Sequence, residues 1–113
     1  MHELTFIENI LRACTEASQQ NHLKKVTRIS LEIGKMYQLV PDLLHFAFKT
    51  AVTGTLFEGA TLDIEWKSLT GECTGCGHSF TIEEFVFICP ECGSFNIKLV
   101  SGKELLIKSI EGN

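Results

Sequence analysis

Four cysteines arranged as two Cys-x-x-Cys pairs are the residues in this sequence best suited to chemistry. The pairs, Cys73-Thr-Gly-Cys76-Gly and Cys89-Pro-Glu-Cys92-Gly, are separated by twelve residues. A glycine directly after each pair lets the chain turn back, so that backbone N–H groups point at the sulfurs. Four thiolates that meet in this way form the ligand set of tetrahedral zinc. We therefore predict a structural zinc site at Cys73, Cys76, Cys89 and Cys92.

The same cysteine spacing leaves some other uses open and argues against others. Iron accepts four sulfur ligands as well, so the residues alone leave both metals open. A redox dithiol would need its pair at the start of a helix, which these glycine-rich turns do not offer. Four sulfurs leave zinc no open coordination position, so we expect a scaffold rather than a catalyst. Between the pairs, the apolar stretches 80–82 and 85–88 predict a short hairpin that brings the cysteines together.

The N-terminal Met1-His2-Glu3 is a second candidate metal site. An α-amine, a backbone amide and the His2 imidazole can form fused chelate rings around Ni²⁺ or Cu²⁺, whereas zinc suits such a set poorly. A histidine at this position also fits a solvated terminal residue, and the residues alone leave both readings open. The remaining candidates are weaker: we expect His45, in the apolar second helix, to be a packed or capping residue and His78 to be exposed.

Two helices and three strands are predicted around these sites. Apolar residues recur at helical spacing over 4–19, and Pro41 begins a second apolar segment that ends at Gly54. Alternation of apolar and polar residues predicts strands at 28–34 and 62–67, and a third follows Gly102 at 104–110. The single unpaired cysteine, Cys14, falls on the apolar side of the first helix, where it is expected to act as a small hydrophobic residue.

These elements predict an α+β fold with a three-stranded sheet, two helices on one face and an inserted four-cysteine zinc-ribbon module. We assign 1–67 plus 101–113 to the α+β domain and 68–100 to the zinc-binding domain. The inserted module is too short to bury a sizeable core, so the metal is expected to supply its folding energy.

Composition and charge exclude several classes of function. The 113 residues are 44% hydrophobic and 21% charged, as in a folded domain, and the net charge is −4. The ribbon has four glutamates and only Lys98, which argues against nucleic acid or an anionic membrane as partner. No apolar run approaches the roughly 20 residues of a membrane span, and no basic leader precedes one, so a cytoplasmic location is expected. We find no nucleophile with a matching base and no phosphate-binding loop, and predict no enzymatic activity.

Several short motifs follow one another in a fixed order along the chain: Met1-His2-Glu3-Leu4, Ile33-Gly34, Glu58-Gly59, Leu62-Asp63-Ile64, the two cysteine pairs, and Leu106-Ile107-Lys108-Ser109-Ile110-Glu111. In this order and at this length, the sequence resembles the HypA/HybF family of hydrogenase maturation proteins, which are nickel metallochaperones. The similarity extends over essentially the whole chain.

The resemblance implies nickel at Met1, His2 and Glu3 and structural zinc at the four paired cysteines. It implies delivery of Ni(II) to the [NiFe]-hydrogenase large-subunit precursor, together with a hydrogenase maturation GTPase. The resemblance also points to a carboxylate just before the second helix, present in some members of the family, as a candidate further nickel ligand. Here the stretch 38–42 reads Gln-Leu-Val-Pro-Asp, so Asp42 is the nearest candidate.

A second function remains compatible with the residues themselves. A zinc-ribbon adaptor would dock a protein partner without delivering nickel, and His2 would then be incidental. The sequence leaves open which hydrogenase is served and whether urease also receives nickel. It also leaves open whether the chain is a monomer or a homodimer.

Overall fold

The computed structural model describes residues 3–113, which form two α-helices, six β-strands and one turn of 3₁₀ helix at Lys35–Tyr37. The helices are α1 (Glu3–Gln20) and α2 (Pro41–Ala51), and the strands are β1 (Val26–Gly34), β2 (Thr61–Lys67), β3 (Thr70–Cys73), β4 (Ser79–Thr81), β5 (Ile97–Ser101) and β6 (Leu105–Gly112). This architecture confirms the predicted α+β fold with a four-cysteine module.

Both helices are amphipathic and contact each other. The face that α1 buries carries Phe6, Ile7, Ile10 and Cys14, at the spacing that the sequence pattern predicts. Helix α2 begins at Pro41, whose fixed φ and missing N–H suit the first helical position, and it buries Leu44, Ala47 and Phe48.

The first sheet has the strand order β2-β1-β6. The apolar residues of β1 that alternate along the strand are all buried: Ile29, Leu31 and Ile33. Side chains of opposite charge form ion pairs between strands of this sheet, Arg28 with Asp63 and Lys108 with Glu65, and all four are partly exposed. The sheet therefore has one apolar, buried face and one charged, solvated face.

The second sheet has the order β4-β3-β5, and β3 pairs antiparallel with both neighbours. Gly71 lies opposite Phe80 on one side and Leu99 on the other. A Cβ at Gly71 would lie 2.6 Å from Ile97 Cγ2, so only glycine allows this close packing. Of the two strands that pair with β3, β4 lies between the two cysteine pairs in the sequence, whereas β5 follows the second pair.

The predicted hairpin between 80–82 and 85–88 is wrong. Phe80 pairs with β3 instead, and residues 83–88 form a turn in which the Val86 N–H donates to Glu83 O at 3.0 Å. Glu84 and Phe85 have positive φ values of 52° and 59°, which interrupt an extended backbone. The apolar composition of this segment therefore does not produce a strand.

The chain divides into two compact units. One contains the described residues up to Glu32 together with Gln38–Glu65 and Leu106–Asn113, and it holds both helices. The other contains Ile33–Tyr37 and Trp66–Leu105, and it holds the four paired cysteines. Within residues 3–113, neither helix has the length and apolar character needed to cross a bilayer.

Candidate metal centre

Each cysteine pair lies in a tight turn with the same backbone hydrogen bond. The Gly77 N–H donates to Cys73 O at 2.8 Å, and the Gly93 N–H donates to Cys89 O at 2.9 Å. Both glycines have positive φ, 81° and 75°, which side-chain-bearing residues rarely adopt. The Cys73 N–H also donates to His78 O at 2.9 Å, which closes the first turn. The two turns therefore present their sulfurs through the same local geometry.

The structure brings together the sulfur atoms of all four predicted cysteines, within 4.8 Å of one another. The Sγ atoms of Cys73 and Cys92 are 3.6 Å apart, as are those of Cys76 and Cys89. A tetrahedron with Zn–S bonds of about 2.3 Å has edges of about 3.8 Å. The cluster therefore fits a structural zinc ion, with Cys73 and Cys89 buried and Cys76 and Cys92 exposed.

The cysteine thiols influence one another's ionisation. The pKa of Cys73 is lowered to about 6, mainly because the Cys76 N–H donates to its sulfur. The His78 N–H lowers the pKa of Cys76, but the neighbouring thiol of Cys89 and partial desolvation of the sulfur outweigh this effect and raise the pKa to about 12. The pKa of Cys92 is also raised. Crowded sulfurs oppose simultaneous ionisation, and a divalent cation removes that opposition because it attracts every thiolate.

The predicted N-terminal site is described only in part. Met1 and His2 lie outside the described residues, and Glu3 is the first residue of α1. The Val40 N–H donates to Glu3 Oε2 at 3.0 Å. Val40 is the N-cap residue of α2 and provides no side-chain cap, so the Glu3 carboxylate satisfies a backbone group at the start of that helix. Asp42, the nearest predicted carboxylate, is exposed in the first turn of α2.

The sequence did not reveal the role of Glu3 at the start of α2. One signal was present, because valine at position 40 is a poor N-cap and leaves the start of α2 without a local side-chain acceptor. Glu3 accepts the N–H of Val40 itself, not the N–H groups of the first turn that a capping side chain would bind. The bond between Glu3 and Val40 joins positions 37 residues apart, so no local pattern indicates it.

The remaining thiol and imidazole groups lie outside the cluster. Cys14 is fully buried in α1, and burial raises the pKa of its thiol to about 11. Helix α2 turns Leu44 inward and leaves His45 exposed, so a packed His45 is wrong, while a capping role for it stays a prediction. His78, predicted to be exposed, is instead half-buried, because its ring stacks on Phe80 at a centroid distance of 5.9 Å. Within residues 3–113, the four cysteines are the one group of three or more His, Cys, Asp or Glu side chains placed to hold a metal.

The family model for "Hydrogenase/urease nickel incorporation, metallochaperone, hypA" matches residues 1–112. The chain belongs to the HypA family. The hydrogenase maturation factor HypA of Geobacter metallireducens is 36% identical over 111 residues, which cover 98% of each chain. HypA of Chlorobium limicola is 39% identical over 110 residues, covering 97% of this chain and 95% of that one.

Solved HypA structures share the fold. The solution structure of the nickel metallochaperone HypA from Helicobacter pylori has a TM-score of 0.66 at 27% identity, covering 99% of this chain and 97% of that one. A second HypA solution structure has a TM-score of 0.68 at 28% identity, covering 100% and 97%. The resemblance seen in the sequence is thereby confirmed, and the chain is placed in a family of nickel metallochaperones that act in hydrogenase maturation.

Proposed function

We propose that this HypA-family chain binds Ni(II) at Met1, His2 and Glu3 and delivers it to the [NiFe]-hydrogenase large-subunit precursor in the cytoplasm. A hydrogenase maturation GTPase acts with it, and any GTP hydrolysis belongs to that partner. The observation that carries the proposal is the family match over residues 1–112, which includes the N-terminal tripeptide.

The two metals have different roles in this proposal. Zinc is enclosed by four sulfurs and holds segment 68–100 together, so it has no position at which a recipient's ligand can attack. Nickel is the cargo and is assigned to segments 1–67 and 101–113. A delivery site must have ligands that a recipient's ligands can replace, and we propose that the N-terminal tripeptide meets this need.

The chemistry of the tripeptide suits nickel. The Met1 amine, the His2 imidazole and the backbone amides of His2 and Glu3 offer a planar set of nitrogens, which Ni(II) prefers. If two amides lose their protons, the complex has no net charge. That neutrality matters because α1 begins at Glu3, and the positive end of a helix dipole repels a bare dication by up to about 1 kcal/mol.

The Glu3 side chain has a separate role. Its carboxylate accepts the Val40 N–H, which connects the first residue of α1 to the start of α2. We propose that this contact fixes the position of Glu3 relative to α2, while the Glu3 backbone amide contributes to the nitrogen set.

Metal analysis of untagged, zinc-loaded protein tests the site. We expect His2→Ala to weaken nickel binding at least about tenfold and to abolish transfer to the large-subunit precursor, because the imidazole is lost from the chelate. The zinc content stays unchanged, because the cysteine cluster is intact. The matched control is His45→Ala, which removes an exposed imidazole from α2. Nickel transfer by His2→Ala at the wild-type level would refute the site.

A second variant and a pH titration separate nickel delivery from an adaptor role. A glycine added ahead of Met1 displaces the α-amine and should stop nickel transfer, whereas an adaptor would be unaffected. Nickel affinity should also rise steeply between about pH 6 and pH 8, because an amine with a pKa of roughly 7.7–8.0 must lose its proton. A flat profile would contradict the amine and amide ligands.

A further inference from the structure

One stretch of the second compact unit is strongly negative. All ten lysines and arginines of the chain lie outside residues 68–97, a stretch that contains four glutamates: Glu72, Glu83, Glu84 and Glu91. A zinc ion held by the four thiolates would add further negative charge, because four anionic sulfurs exceed the charge of the dication. The four glutamates are all exposed. The charge of this stretch therefore favours cationic partners over nucleic acids and anionic membranes.

Exposed apolar side chains lie in the same stretch. We call residues 83–88 the acidic loop, which reads Glu-Glu-Phe-Val-Phe-Ile. Phe85, Val86 and Ile88 are 38%, 51% and 42% exposed, and the rings of Phe85 and Phe87 are 6.5 Å apart between centroids. Three large apolar residues left in water beside two glutamates are typical of a protein-binding surface rather than of a solvated turn.

A cleft of about 260 Å³ adjoins the acidic loop. Leu69 and Ile82 are buried and give it an apolar base, and three loop residues, Glu83, Glu84 and Phe85, form part of its wall. Its other lining residues are Lys35, Ser68 and Thr81, so the cleft has two carboxylates and one ammonium. An apolar base with a negative rim suits a large side chain whose neighbours are basic.

We infer that the acidic loop and this cleft dock a segment of a partner protein in which lysine or arginine flanks a large apolar side chain. The apolar residue fills the cleft, and the basic residues face Glu83 and Glu84. In such an arrangement the buried apolar anchor contributes most of the affinity. The complementary charges mainly raise the association rate. The inference rests on the proposed function, because a delivery protein must bind the protein that it serves or its GTPase.

Binding measurements with the purified large-subunit precursor and the purified maturation GTPase test this inference on the full, zinc-loaded chain. The variant Glu83→Lys/Glu84→Lys should bind at least one of them about tenfold more weakly at low salt, because attraction becomes repulsion. Added salt should narrow the difference. Phe85→Ser should weaken the same complex at every salt concentration, because the apolar contact is lost.

The matched control is Glu8→Lys/Glu16→Lys, which makes the same change in net charge at exposed positions of α1. We expect it to leave the affinity of that complex unchanged. Three results would overturn the inference. The loop variant could bind with unchanged affinity, the control could lose as much affinity as the loop variant, or the wild-type chain could bind neither protein. Self-association of the wild type that the loop variant abolishes would also overturn it, because the occupant would then be a second copy.

Nickel binding measured on the same variants keeps the two proposals distinguishable. The loop variant retains its N-terminal ligands, so it should bind nickel like the wild type. A negative docking result would therefore not contradict the nickel site. Normal nickel transfer by His2→Ala would likewise not contradict the docking result.

Discussion

Cys14 and Cys73 carry the same side chain, but their pKa values shift in opposite directions. Burial in α1 raises the pKa of the Cys14 thiol to about 11, because an apolar environment disfavours a thiolate. Cys73 is also inaccessible to solvent, but its sulfur accepts the backbone N–H of Cys76, which lowers its pKa to about 6. The decisive difference is the hydrogen-bond donor, which the Cys-x-x-Cys turn supplies and the helix interior does not.

The Cys14 thiol makes the stability of the protein depend on alkaline pH. Its pKa is about 11 in the folded chain and about 9 in an unfolded one, so the unfolded state ionises first as the pH rises. The free energy of unfolding is unaffected by Cys14 ionisation below about pH 9. Between about pH 9 and pH 11 it falls by about 2 to 3 kcal/mol. Cys14→Ala removes this pH-dependent loss. In urea unfolding near pH 8 and near pH 11, the wild type should lose this much more stability than the variant.

The other groups that titrate in this range are the same in both chains, so the difference between the two losses isolates Cys14. Equal alkaline losses in wild type and variant would contradict the prediction. A second check is alkylation of the folded, zinc-loaded protein, in which Cys14 should stay unmodified because its sulfur is inaccessible.

At the scale of elements, the start of α2 depends on a residue outside it. Pro41 fits the first helical position, but the N-cap Val40 has no side-chain acceptor for the N–H groups of the first turn. The Val40 φ and ψ of −89° and 116° are those of a normal N-cap residue, so its backbone is ready for a capping side chain. Helix α2 therefore starts in good geometry with an incomplete cap.

Val40→Ser should stabilise the protein by about 1 kcal/mol, because the serine hydroxyl accepts an N–H of the first turn. The bond from the Val40 backbone N–H to Glu3 is unaffected, since it does not use the side chain. The measurement is the free energy of unfolding in urea. Val40→Ala is the control, because it removes the same half-exposed side chain without adding an acceptor. A serine variant no more stable than the alanine variant would exclude this account of the cap.

The sequence was sufficient to predict the elements whose signals are local. Helical spacing predicted α1, Pro41 marked the start of α2, and alternation predicted β1. It was insufficient for the small second sheet. Strand β3 reads Thr-Gly-Glu-Cys, which has little strand propensity, and it forms because β4 and β5 pair with it on both sides. Pairing of this kind depends on distant segments, so periodicity does not reveal it.

The same distinction applies to the metal centre. The spacing of the cysteines was enough to predict their cluster, because each pair is one local turn and chemistry requires four ligands. The contact of Glu3 with Val40 was not predictable, because it joins the starts of two helices that meet only after the chain has folded. The exposed loop at 83–88 was missed for a third reason: its apolar residues indicate a buried strand, and only the structure shows them in solvent.

At the scale of the whole molecule, the two compact units differ in what holds them together. The unit with both helices buries a large set of apolar side chains from α1, β1 and α2. The other unit buries fewer large side chains, namely Ile33, Leu69, Cys73, Ile82 and Cys89, and two of these belong to the four-cysteine cluster. So small a core does not offset the chain entropy lost on folding, and metal binding must supply the remainder.

Removal of zinc should therefore unfold one unit and spare the other. We expect a strong chelator at neutral pH to release one zinc per chain and to collapse the NMR amide dispersion of residues 66–105, while the amides of α1 and α2 keep their folded positions. Cys73→Ser should reproduce the collapse without chelator, because three sulfurs hold zinc more weakly than four.

The control is Cys14→Ala, which removes a thiol outside the cluster and should retain its zinc and its amide dispersion. Full dispersion over 66–105 in the metal-free protein would show that this unit folds on side-chain packing alone, and loss of the α1 and α2 signals would show that the first unit also depends on zinc.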